Sequence, residues 1–171
     1  DHDATARRRQ RPREGLGEHE GSAQVGLDVF VPGLSVGGID IVMYKTYPLG
    51  AKDLSPLLKK IKAENVDAMF AFSYPPGTFL ITGQSKAIGF NPKLFYTSIG
   101  TAFSPYREAF GAQVVEGVMG TGAWNPKVPY PGAKEFWDRM TKFAGPGKTD
   151  WYGNAFCYSS VQVLQQAIAL G

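Results

Sequence analysis

Five side chains stand out for what they could hold rather than for what they could convert. Ser73, Tyr74, Thr97 and Ser98 follow two apolar runs, and Trp124 follows a third. Hydroxyl groups of this kind hold carboxylate or amide oxygens, and aromatic rings cover the apolar part of a small guest. The competing explanation is that Tyr74 and Trp124 simply pack loops. Groups able to break bonds are scarce around them. The two histidines, His2 and His19, lie in the polar first twenty residues, so the body of the chain offers no Ser–His or Cys–His pair. Cys157 is alone and sits at helical spacing among apolar neighbours, which reads as a packed core thiol. The same scarcity argues against a metal site of Cys and His ligands. Glu108, Glu116, Glu135 and Asp138 are scattered, and none falls at a predicted strand end. No catalytic residue and no cofactor is therefore assigned.

One motif imitates a nucleotide site. Gly147-Lys148-Thr149 resembles the end of a phosphate loop, but the position that needs the earlier glycine is Lys142, and a helix rather than a strand precedes it. No G-x-G-x-x-G occurs. From Ile39 onward thirteen Lys and Arg face nine Asp and Glu, spread along the chain, which fits a solvated surface rather than a nucleic-acid face. No apolar run reaches the roughly 18 residues of a membrane span, and no signal pattern opens the chain.

The elements that must position these residues follow from periodicity. Ala68 to Phe72 is a continuous apolar run, expected of a strand buried on both faces. Ser73-Tyr74-Pro75-Pro76-Gly77 should stop it, and Thr78 should cap a helix ending at Gly89. Asn91-Pro92 bars further helix, and Leu94 to Thr97 forms a second strand closed by Ser98-Ile99-Gly100. Strand, crossover helix and strand in about thirty residues make a βαβ unit with parallel strands. Ligands in such sheets bind beyond the carboxyl ends of the strands.

Upstream, Ile39 to Tyr44 reads as another strand, Tyr47 to Gly50 as a turn, and Asp53 or Ser55 as the cap of a helix with the stripe Leu54, Leu57, Leu58 and Ile61. Downstream, a short helix starts at Ser104-Pro105, strand character runs from Val114 to Met119, and amphipathic helices cover Ala133 to Phe143 and Tyr152 to Leu170. The fold class is α/β, a mostly parallel open sheet with flanking helices. Residues 1–38 form a polar leader: the first twenty hold ten charged residues, and Val25, Leu27, Val29 and Phe30 only partly alternate before Pro32-Gly33. Gly37-Gly38 marks the boundary, residues 39–130 an α/β lobe, and residues 131–171 a helical return segment.

Four segments in order, TYPLGAKDLSPLLKKIKAENVDAMFAF, SYPPGTFLITGQSKAIGFNPKLF, VVEGVMGTGAWNP and YGNAFCYSSVQVLQQAI, resemble the type I periplasmic binding proteins of ABC importers for branched-chain amino acids. The resemblance spans Ile39 to Leu170. It implies an incomplete chain: the second of two hinged lobes, with the first lobe missing and the last helix normally packed on it. It also implies a small-molecule solute held between lobes without chemistry, an ABC permease as partner and a periplasmic location. Residues 1–38 do not resemble the family and are expected to be a truncated or frame-shifted leader. The family's ligand loops match Ser73-Tyr74 and Thr97-Ser98-Ile99-Gly100. Amino-acid binders of the family place a carboxylate near Ile99 to meet the ligand's ammonium. Its absence points to an amide or carboxylate solute without a free amine. Two rival readings are a ligand-sensing receptor or regulator domain of the same fold and a flavodoxin-like enzyme or nucleotide binder.

Overall fold

The computed structural model describes residues 37–145 and 147–170. The leader expected over residues 1–38 therefore lies almost wholly outside the described residues. The described elements are helix α1 (Ser55–Ala63), strand β1 (Ala68–Ala71), α2 (Pro75–Ala87), β2 (Leu94–Thr97), α3 (Ser104–Phe110), the single turn α4 (Ala112–Val115), β3 (Val118–Met119), α5 (Ala133–Ala144) and α6 (Gly153–Leu170). The sheet runs in the order β1-β2-β3, all parallel, with Ala71 opposite Thr97 and Tyr96 opposite Met119. The expected βαβ unit is present, so sequence order and spatial order coincide and the three carboxyl ends finish side by side.

The core lies on the α1 and α2 side of the sheet. Leu54, Leu58, Met69, Ile81, Phe90 and Phe95 form it, with Tyr47, Ile61, Leu80, Ile88 and Val118 against its margin. Period-two alternation sends Met69 and Phe95 inward, while Phe70 and Tyr96, a registered pair, meet ring to ring at 5.9 Å. Asp53 accepts the Ser55 N–H at 2.8 Å, and that bond holds its carboxyl below the usual range. Asn65 closes the other end of α1 with φ 50°, a left-handed conformation that asparagine tolerates.

Four expectations need correction. Ile39 to Tyr44 is not a strand. Its alternation is real, with Ile41 and Met43 half-buried and Val42 and Tyr44 exposed, but alternation reports extended backbone and not a hydrogen-bonded neighbour. The helix expected from Thr78 begins earlier, at Pro75. Prolines suit the first helical turn, where their missing N–H has no partner to lose, and Tyr74 takes the extended conformation favoured before proline, ψ 166°. Val114 and Val115 belong to α4, and Gly117, at φ 78°, breaks the path to β3. Cys157 is exposed rather than packed in a core, because the helix that carries it has no buried residue.

Candidate functional site

β1 leaves the sheet through a tight turn in which the Ser73 N–H donates to the Ala71 carbonyl at 3.0 Å. That carbonyl also accepts the Ser98 N–H at 2.9 Å, and the Ser73 carbonyl accepts the Ile99 N–H at 3.1 Å. The Ser98 hydroxyl adds a third tie, donating to the Ser73 carbonyl at 2.8 Å. The exits of β1 and β2 are thus fastened largely by main-chain atoms. The exit of β3 joins them: the Thr121 N–H donates to the Ser98 carbonyl at 2.7 Å, and the Tyr96 and Thr121 hydroxyls share a hydrogen bond of 2.7 Å.

The predicted residues take different places in this arrangement. Ser73 and Thr97 are buried. The Thr97 hydroxyl donates toward the Met119 carbonyl at 3.4 Å, and the Ser73 hydroxyl lies 2.7 Å from that of Thr78. Tyr74 is exposed at the start of α2, and Ser98 and Ile99 are half-buried beside it. Gly100, buried at φ 134°, sits against Thr78: an added Cβ would stand 3.0 Å from the Thr78 Cβ and 3.2 Å from the Pro75 Cα. Glycine is required there on both counts. Trp124 is set apart. Its ring packs on α5, 5.4 Å from Phe136 and 5.9 Å from Trp137. Its N–H donates to the Trp151 carbonyl, and the Trp151 N–H donates back to Ala102 in the loop after β2.

Sequence reasoning missed two contributors. Thr78, read as a cap, is fully buried one turn into α2 and donates to the Ile99 carbonyl at 2.6 Å. Tyr47, read as part of a turn, reaches the start of α2, and burial raises its phenol above the ordinary value. Its hydroxyl fills the space that a Gly77 side chain would need. Taking Pro75-Pro76 as a helix start would have exposed the first of these, since it sets Thr78 facing the strand exits.

The three exit loops, Ser73-Tyr74, Ser98 to Thr101 and Thr121 to Trp124, carry no charged side chain. Asp150, which precedes Trp151, accepts the N–H groups of Tyr152 and Gly153 at the start of α6. Among the described residues no group of three His, Cys, Asp or Glu side chains could hold a metal ion. The chemistry open to these loops is neutral hydrogen bonding beside an aromatic ring.

Comparison with known proteins places this geometry in a family. A 57-residue stretch is 37% identical to the Leu/Ile/Val/Thr-binding protein of Salmonella typhimurium, covering 33% of this chain and 16% of that protein. Among solved structures, Rp1789 of Rhodopseudomonas palustris superposes with a TM-score of 0.69 at 18% identity, over 84% of this chain and 43% of that one. A periplasmic binding protein type 1 from Bordetella pertussis Tohama I gives 0.57 at 22% identity, over 76% and 34%. The chain therefore spans less than half the length of each of these relatives. The family model for periplasmic binding proteins matches residues 23–170, which takes in residues 23–38 of the leader expected to lie outside the family. Members of this family bind solutes and perform no chemistry on them. On the extent of that match, this chain belongs to the periplasmic binding proteins of type I.

Proposed function

We propose that this chain supplies one wall of the solute site of an ABC importer's substrate-binding protein, outside the cytoplasm. The guest is a small polar molecule, a carboxylate or an amide, and it leaves unchanged. The observation that carries the reading is the joining of three parallel strand exits into one surface that presents Tyr74, Ser98 and Ile99 without a charged side chain. In this reading Ser73, Thr97 and Gly100 hold the surface in shape, Tyr74 and Ser98 meet the guest, and Trp124 fixes the rim to α5. A buried ammonium would find no carboxylate on these three loops. Solutes without a free amine are therefore preferred. Closure of a second wall over the guest is the change that a membrane permease would recognise.

Titration calorimetry on the full-length protein tests this with two solute sets, branched-chain amino acids and small carboxylates or amides of similar size. Binding confined to the second set is expected, and tight binding of leucine would refute the choice. This chain by itself should bind at about millimolar strength or weaker, about a third or less of the free energy of a nanomolar two-walled site. Micromolar affinity of the isolated chain would overturn the two-wall picture.

A further inference from the structure

We infer that Thr78 is the positioning residue of this half-site, the middle of a one-directional chain of hydroxyl groups that sets where Ile99 and Ser98 stand. The assignment follows from counting hydrogens. A threonine hydroxyl has one hydrogen to give, and a carbonyl oxygen can only accept. Thr78 lies 2.6 Å from the Ile99 carbonyl, so its hydrogen goes there. Its contact with Ser73 at 2.7 Å must then be accepted, so Ser73 is the donor. The alternative acceptor for Ser73, the Ala71 carbonyl, is 3.5 Å away, too long to compete. The order is Ser73 to Thr78 to the Ile99 carbonyl. Each member polarises the next, in surroundings from which water is excluded at Ser73 and Thr78.

The chain joins three separate pieces: the exit of β1, the first turn of α2 and the exit of β2. Thr78 also leaves no room for a side chain at Gly100, which would begin 3.0 and 3.1 Å from the Thr78 Cβ and Cγ2. This inference rests on reading these loops as the solute-binding wall, but its test uses no solute.

The test is amide hydrogen exchange on the whole 171-residue chain, comparing Thr78→Val, which keeps the shape and removes the hydroxyl, with Thr78→Ser, which keeps the hydroxyl. Thr78→Val should accelerate exchange at the Ser98 and Ile99 amides about tenfold or more, beyond any change at the Leu58 and Phe90 amides of the core. Thr78→Ser should leave Ser98 and Ile99 within about twofold of the unaltered protein. Unchanged protection in Thr78→Val, equal acceleration in both variants, or acceleration spread evenly over the molecule would each overturn the inference. If Thr78→Val does not fold, Ser73→Ala removes only the first donor. Acceleration confined to Ser98 and Ile99 then supports the inference, and unchanged exchange there sinks it. Failure here leaves the solute-binding reading standing, and failure of solute binding leaves this result untouched.

Discussion

Single hydroxyl groups decide the shape of the strand exits, and their protonation makes the fold sensitive to alkali. Burial raises the Tyr47 and Tyr106 phenols above their ordinary 10.0. The folded state thus holds these protons more tightly than the unfolded chain does. Their contribution is complete below about pH 10 and is lost as pH rises through the elevated folded values. Urea unfolding followed from neutral to strongly alkaline pH should show falling stability in that window, with a shallower fall in Tyr47→Phe. An identical slope in that variant would remove Tyr47 from the account. Ser73, Tyr74, Thr97 and Ser98 were legible because each follows an apolar run. Their division into buried ties and exposed contacts was not, since residue type alone does not say which hydroxyl finds an internal acceptor. Tyr47 and Thr78 act through neighbours distant in sequence, and no local pattern announces them.

Among the elements, β2 was read to the residue, from Leu94 to Thr97, because Asn91-Pro92 ends the preceding helix and the strand is short and apolar. The start of α2 was misplaced because two prolines signal a break and a helix opening equally well, and tertiary contacts choose between them. Ile39 to Tyr44 shows the limit of periodicity, which sees side-chain alternation but not whether a ladder forms. The exit of β3 has its own constraint at Gly120, where a side chain would collide with that of Thr101 and stand 2.8 Å from the Thr97 carbonyl. A main-chain oxygen cannot step aside as a flexible side chain can. Gly120→Ala should therefore destabilise the fold by about 1–3 kcal/mol in urea denaturation, while a loss near zero would mean that the β2 and β3 exits are looser than described.

At the scale of the whole molecule, the final helix is the outlier. From Gly153 to Leu170 α6 has no charged residue and no buried one, and Val163, Leu164 and Ile168 are 65%, 60% and 73% exposed. A helix this apolar ordinarily lies inside a protein, and a contiguous patch of this kind marks an association surface. Sedimentation velocity should show the average mass of this chain rising with concentration, and Leu164→Lys combined with Ile168→Lys should suppress the rise. A monomer throughout would contradict it. The strand exits suggest a different lesson. Ile99 is fastened through its own N–H and carbonyl, so its side chain takes no part in the bonds that join the loops. On the proposed reading of these loops as a solute wall, stability and selectivity reside on different atoms, and the usual trade-off between them is relaxed. A lineage could then change its guest by exchanging the residue at position 99 while the main-chain bonds that join the loops stay in place.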